Sequence, residues 1–309
     1  MRILILHNWT SLGFAVAQAL MKSGKNELVL IGTAVEHPDL ELVEDAARLG
    51  IPCGMVDEVD NDAFAGDMRE LAPDIAIVAT FPKRLPVAVL GRLPLGAFNV
   101  HPSLLPAYRG PSPEFWALRN GDPETGVTVH ELADQFDAGA IVVQSRVAID
   151  ADETGGSLDE KLSAAAAALV LDFVARLGAG EAMPRVTQDE SRVTRAPLPR
   201  AEDLTIRWQD SARSIERLVR ACDPTLLATA TLAGERVGIV NAQLDDTGHA
   251  GDRRPIAPGE LRFDAEEGTL RCGTGEGALV LEDVDVAGVT LDAEELATRL
   301  GLGRSRDLN

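Results

Sequence analysis

DIAIVATFPKRLPVAVLGRLPLGAFNVH, residues 74–101, holds two short apolar runs, DIAIVAT at 74–80 and GAFNVH at 96–101, on either side of a segment with helical spacing at 87–93. A short, nearly continuous apolar run reads as a strand covered on both faces, and two such strands joined by a helix make a parallel, right-handed crossover. The same signature extends outward. RILILH at 2–7, ELVLIGT at 27–33 and the stretch 51–56 read as further strands, with helical spacing at 12–21, 39–49 and 62–71 between them. This alternation predicts an α/β domain with a doubly wound, mostly parallel, Rossmann-like sheet. Ligands of such sheets gather beyond the carboxyl ends of the strands, near the point where strand order reverses. The loops after Thr80 and Val100 are therefore the places to look for chemistry.

The pattern changes after Arg119. Runs at 126–132 and 140–149 predict a hairpin through Asp137-Ala138-Gly139, and a long helix is expected at 157–177, with Ser157 as its cap and Glu160 completing a capping box. Pro184, Pro197 and Pro199 among polar residues mark a linker. A helix at 211–222 stops at Asp223-Pro224, and β-prone runs follow at 228–232, 236–240, 260–263, 269–272 and 278–284. Several short strands with turn signals predict a small β-barrel. The expected organisation is a catalytic domain at 1–183, a linker at 184–203 and a second, smaller, OB-like β-barrel domain at 204–309.

With 29 Lys+Arg against 49 Asp+Glu, the 309-residue chain carries a formal net charge of −20. That balance argues against a partner held by neutralised phosphates. Cys53, Cys222 and Cys272 are far apart and form no CxxC pair, so neither a disulfide framework nor a zinc site is written, and no metal is expected. A reducing, cytoplasmic setting follows. No run reaches the roughly 18 apolar residues of a membrane span. The first strand ends in HNWTSLG, whose single Gly13 fits neither GxGxxG nor a phosphate loop, which disfavours dinucleotide or ATP binding there.

The densest polar cluster is NVHPSLLPAYRGP at 99–111. Residues i and i+2 of a strand share a face, so Asn99 and His101 project together into the crevice. Taken alone, the pair reads as readily as a strand cap and a satisfied core histidine. The longer string decides otherwise. NVHPSLLPAYRG followed by GDPETGVTVHELADQFDAGAIV resembles the folate-dependent formyltransferase family in its Asn-x-His (Asn99, His101), Ser-Leu-Leu-Pro (103–106), Arg-Gly (Arg109, Gly110), Gly-x-Thr (Gly126, Thr128) and Asp-x-Gly (Asp137, Gly139).

The resemblance implies 10-formyltetrahydrofolate as formyl donor and Asn99, His101 and Asp137 as the catalytic set. Attack of an amine on the formyl carbon develops an oxyanion, and a placed donor there supplies on the order of 3 kcal/mol. The Asn99 amide and a His101 ring N–H are suited to that, with Asp137 orienting His101 and helping to remove a proton. The resemblance also implies folate contacts from Phe81, Arg84 and Leu85, the apolar pair flanking the ring, and from Asp134 and Gly139. His7, Ser103 and Arg109 are candidate substrate contacts, Ser103 and Arg109 also shaping the loop and Arg109 equally suited to internal pairing. His130 reads as structural.

The acceptor is a separate question. The segment 32–41, GTAVEHPDLE, is short and acidic where tRNA-acting members of the family carry a basic insertion, and residues 201–309 hold 12 Lys+Arg against 21 Asp+Glu. Arg213, Arg217 and Arg220 share a helix face, diluted by Glu216. A small-molecule amine, from an amino sugar nucleotide or an amino-acid-derived precursor, is therefore expected, with tRNA unlikely. Methionyl-tRNA formyltransferase and formyltetrahydrofolate hydrolase are the alternatives, and a non-catalytic folate binder is a further one that the complete triad disfavours. Oligomeric state is left open.

Overall fold

The computed structural model describes all residues except 9, 34–39, 57, 58, 60, 61, 246–254 and 303–309. The chain divides into two compact units, Met1–Glu114 with Pro123–Ile149 and Ser157–Leu198, and Phe115–Asp122 with Asp150–Gly156 and Pro199–Asn309.

The first unit is built on a seven-stranded sheet. In chain order its elements are β1 (Arg2–His7), α1 (Ser11–Ser23), β2 (Glu27–Thr33), α2 (Leu40–Arg48), β3 (Cys53–Met55), α3 (Asp62–Leu71), β4 (Ile75–Ala79), α4 (Val87–Leu90), β5 (Gly96–His101), α5 (Pro113–Asn120), β6 (Glu124–Glu131), β7 (Ile141–Ala148) and α6 (Gly155–Gly178), α5 and α6 each dividing between the units. The sheet order is β3-β2-β1-β4-β5-β6-β7, parallel through β5, with β6 and β7 antiparallel. The expected α/β fold is present. The chain winds outward from β1 through β2 to β3, then crosses back to β4, so the switch point lies between β1 and β4.

Local chemistry accounts for the elements. Thr10 caps α1 by accepting from the Gly13 N–H, Gly24 ends it in the left-handed region, and Leu12, Val16, Leu20 and Met21 form its buried face. Leu4, Leu6, Val78, Phe64, Met68, Leu90 and Ala97 share one core cluster on one face of the sheet. On the opposite side Phe98 meets Phe173 of α6 edge to face at 4.9 Å. Ala97, Asn99 and His101 thus share the face opposite to Phe98.

Three differences from the sequence reading have physical causes. Helix α6 begins at Gly155, so Ser157 lies inside the first turn and does not cap it. Helix α5 was not anticipated, although Pro113 at its first position is a start signal. The proline-marked stretch is bonded to the first unit. Val186 and Ile141 exchange N–H···O bonds of 2.9 Å, Arg109 N–H donates to Thr194 at 3.0 Å, and Ala196 N–H donates to Arg109 at 2.8 Å. Prolines remove donors from this strap while the residues between them keep theirs.

The second unit contains α7 (Ala212–Cys222), β8 (Ala228–Leu232), β9 (Glu235–Leu244), β10 (Leu261–Asp264), β11 (Thr269–Gly273), β12 (Ala278–Val286), β13 (Val289–Asp292) and α8 (Ala293–Arg299). Its six strands form one antiparallel sheet in the order β10-β11-β12-β9-β8, with β13 beside β12. One edge of β12 pairs with β9, while the other is divided between β11 and β13. The sequence reading missed β13 and α8, which Asp292 and Glu295 start with a capping box. Among the described residues no helix is long and apolar enough to cross a membrane.

Candidate active site

The register of two strand pairs assembles the site. Antiparallel pairing sets Asn99 of β5 opposite His130 of β6, and His101 opposite Thr128. Asn99 and His101 share a face by strand periodicity, and so do Thr128 and His130, which brings four polar side chains together at the end of an otherwise apolar sheet. The turn after β6 then returns Asp137 to this cluster. Asp137 Oδ1 is 3.4 Å from Asn99 Nδ2, 3.6 Å from His101 Nδ1 and 3.8 Å from His130 Nε2, and Oδ2 accepts from the Gly110 N–H at 2.9 Å.

The hydrogen-bond partners fix the tautomers. His101 Nε2 faces the Tyr108 carbonyl at 2.9 Å, and a carbonyl only accepts, so this nitrogen carries the proton and Nδ1 faces the Asp137 carboxylate. His130 Nδ1 likewise donates to the Glu131 carbonyl at 2.8 Å, and its Nε2 lies 3.1 Å from Asn99 Nδ2. Burial drives the His101 pKa below its ordinary value against the raising effect of Asp137 and the Tyr108 bond. Burial resists ionisation of Asp137, but the His130 ring, the His101 ring and the Gly110 N–H together outweigh it and hold the carboxyl below its usual range. At neutral pH the cluster is a neutral imidazole beside a carboxylate.

Asp137 adopts φ 58°, in the left-handed region that Asp tolerates better than most residues and that clusters at functional sites. Gly139 is required by contact. A Cβ there would lie 1.7 Å from the Glu131 carbonyl oxygen.

The other sequence-predicted residues have the following places. Arg84 donates to the Asp134 carbonyl through Nε at 3.0 Å and Nη2 at 2.5 Å, which joins the loop after β4 to the turn that carries Asp137. Phe81 and Leu85 are buried and belong to the core cluster. His7 is fully buried at the end of β1, with Nδ1 2.8 Å from the Asn8 carbonyl. Ser103 is fully buried and donates to the Ala107 carbonyl at 2.7 Å. Arg109 is 1% exposed, and its guanidinium is engaged by Gln188 and Glu190. Of the two uses expected for Arg109, the internal one is the one present. His130, read as structural, stands within the cluster. Its signal was its spacing of two from Thr128 in the Gly-x-Thr motif.

The formyltransferase N-terminal model, described as "Formyl transferase", matches residues 1–174, and "Formyl transferase, C-terminal domain" matches residues 200–301. The chain belongs to the formyltransferase family. This formyltransferase is 40% identical to a methionyl-tRNA formyltransferase of Roseiflexus castenholzii over 79% of its own length and 75% of that protein's. It is 34% identical to the methionyl-tRNA formyltransferase of Thermotoga neapolitana over the same two shares. Among solved structures, HypX from Aquifex aeolicus in complex with tetrahydrofolic acid is similar with a TM-score of 0.64 at 20% identity, covering 98% of this chain and 48% of that one. The chain thus spans about half of HypX. A sugar N-formyltransferase from Shewanella has a TM-score of 0.60 at 19% identity over 77% of this chain and 96% of its own. At these identities the two structures show a shared fold.

These relatives correct the acceptor reading. The expectation of a small-molecule amine, and of tRNA as an unlikely partner, is overturned by 34–40% identity to methionyl-tRNA formyltransferases. The error lay in taking charge summed over a segment and over residues 201–309 for the charge that a ligand meets. Net charge adds acids from every face, whereas a polyanion responds to charges within about 8–10 Å of its contact. The acidic loop used in that reading falls largely on residues 34–39, outside the described residues. In the second unit Arg220 is engaged by the Glu216 carboxylate and the Glu153 carbonyl, and Arg217 reaches the Asn120 carbonyl at 3.5 Å.

Proposed function

We propose that this formyltransferase is a methionyl-tRNA formyltransferase, moving the formyl group of 10-formyltetrahydrofolate to the amino nitrogen of methionyl-tRNA. The observation that carries this reading is the 40% identity to such an enzyme over 79% of the chain. A folate formyl donor fits the residues present. Its reacting carbonyl needs a hydrogen-bond donor and a nearby proton acceptor, and the Asn99 amide and the His101–Asp137 pair provide both within one cluster. Phe81 and Leu85 are buried, so a pterin in this crevice meets the main chain of residues 81–86, and the Arg84–Asp134 link sets the spacing of the loop against the turn. Gly139, pressed against the Glu131 carbonyl, shapes that turn.

The polar geometry supports a division of labour. His101 Nδ1 and Asp137 Oδ1, two acceptors 3.6 Å apart, have room for one proton, and the attacking amine supplies it as its nitrogen bonds to the formyl carbon. His101 becomes imidazolium beside the ionised Asp137. The same ring then returns the proton to the departing folate nitrogen as that carbon–nitrogen bond breaks, so the number of protons is conserved. Asn99 binds Asp137 through a long 3.4 Å contact, a weak bond that an oxyanion on the formyl oxygen can take over. His7, expected as an acceptor contact, is fully buried at the end of β1 and shares the face of Ala79 and Val100, so we infer that it supports the site from within. Ser103 and Arg109 act on the loop from within.

We also infer a cytoplasmic location, supported by three free cysteines. The test is direct. With 10-formyltetrahydrofolate, the purified protein should formylate methionyl-tRNA and leave amino sugars and free amino acids unmodified. Absence of formylated methionyl-tRNA, or folate release at the same rate without any acceptor, would overturn the assignment.

A further inference from the structure

We infer that Gln188 is a positioning residue for the reaction, a clamp that holds the Asp137 turn in place through two donated hydrogen bonds and is itself fixed by the buried Arg109. This rests on the reading of Asn99, His101 and Asp137 as the catalytic set. Gln188 is 6% exposed and lies 51 residues beyond Asp137, in the strap that the proline pattern marked as a linker and past residue 174, where the N-terminal family match ends. Its Nε2 donates to the carbonyls of Asp137 and Gly139, each at 2.7 Å. Its Oε1 accepts from Arg109 Nε at 3.0 Å and Nη2 at 2.8 Å.

The four bonds determine the orientation of the amide. A guanidinium only donates and a carbonyl only accepts, so a flipped Gln188 would set N–H against N–H and oxygen against oxygen. Arg109 is anchored in turn by Glu190 and, through its own main chain, by Thr194 and Ala196. The next residue, Gly110, donates to Asp137 Oδ2. Asp137 is therefore held at both ends, its carboxylate from the Arg109–Gly110 loop and its carbonyl from Gln188. A residue at φ 58° needs such surroundings to persist. Without the clamp the backbone has a route back to an ordinary conformation, and the carboxylate loses its place 3.6 Å from His101.

The geometry separates this role from simple support of Arg109. Gln188→Glu keeps an acceptor for the guanidinium but cannot donate to either carbonyl. Gln188→Leu removes both functions. In both variants kcat should fall at least tenfold while KM for the formyl donor stays within about twofold, and the His101 ring titration, followed by NMR with His101→Ala for assignment, should move to lower pH in Gln188→Leu as the carboxylate withdraws. Thermal melting of each variant reports folding. Wild-type kcat in Gln188→Glu would overturn the clamp, as would a loss of kcat with an unmoved His101 titration. Asp137→Asn serves as the reference. If it keeps wild-type turnover the catalytic reading fails, whereas an inactive Asp137→Asn beside a fully active Gln188→Glu refutes the clamp alone.

Discussion

Gly139→Ala places one methyl group against the main chain of β6, and the structure sets the size of the effect. The new Cβ would stand 1.7 Å from the Glu131 carbonyl oxygen and 2.7 Å from its carbon, both inside the 3.0 Å limit that Cβ atoms respect. Turn and strand must therefore separate by about 1.3 Å. The carbonyl that is pushed is the one that accepts His130 Nδ1–H, and the turn that is pushed carries Asp137 two residues earlier. Backbone on both sides leaves no flexible side chain to absorb the clash. A misplacement of about 1 Å in a reacting constellation lowers rate by around 100-fold. Overpacking of this kind costs about 1–3 kcal/mol, and a unit of this size loses about 2–4 °C of melting temperature per kcal/mol. The assay measures formyl transfer at saturating donor, well below the melting transition, beside the melting temperature itself. The expected variant is folded, a few degrees less stable and about 100-fold slower. A Gly139→Ala enzyme with wild-type kcat and an unchanged melting temperature would show that the turn is not held against β6 as described.

Asn99→Ala should lower kcat by about 100-fold with little change in donor KM, the range found when a single oxyanion donor is removed; a change under threefold would take Asn99 out of the mechanism. Since burial lowers the His101 pKa, the acid limb of the rate should have its midpoint below pH 6.5, and removing the Asp137 charge should move the residual limb lower still; a midpoint above 6.5 would contradict a neutral His101. Glu114, at the start of α5, is raised to about 7 by burial and by the nearby Asp159. A carboxyl raised on folding contributes stability in full below its unfolded value and loses it as pH rises through 7, so melting should fall between pH 5 and 8 by at most about 3 kcal/mol. Glu114→Gln should flatten that slope, and an identical slope in the variant would refute the assignment.

Much of this was legible because it is written locally, in short apolar runs and in spacings of two. RILILH and GAFNVH are strands with the bounds expected of them, and the Asn-x-His spacing already sets two side chains on one face. Less legible were contacts that depend on register and return. His130 joins the site because antiparallel pairing sets it opposite Asn99; its spacing of two from Thr128 puts both on one face, but only the register sets that face beside Asn99. The strap at 184–198 looked like a linker because its prolines and polar residues are the composition of one, yet Gln188 and Thr194 find partners some 50 to 90 residues away in sequence. The Gly155 start of α6 was hidden by a stronger capping signal at Ser157. The acceptor was misread for a different reason, since composition sums over surfaces that a ligand never meets at once.

The late arrival of Gln188 has a consequence for the order in which the enzyme matures. A chain emerging from the ribosome completes β1 to β7 by residue 148 and α6 by residue 178, which supplies every strand of the first sheet. The turn at Asp137 is made by then, but the amide that grips it is ten residues further on, and the strands of main chain that anchor Arg109 arrive only with Thr194 and Ala196. Contacts of such wide separation form late because loop closure opposes them. If Gln188 holds the turn as inferred, the nascent first unit has all its strands before it has the contacts that set the Asp137 carboxylate.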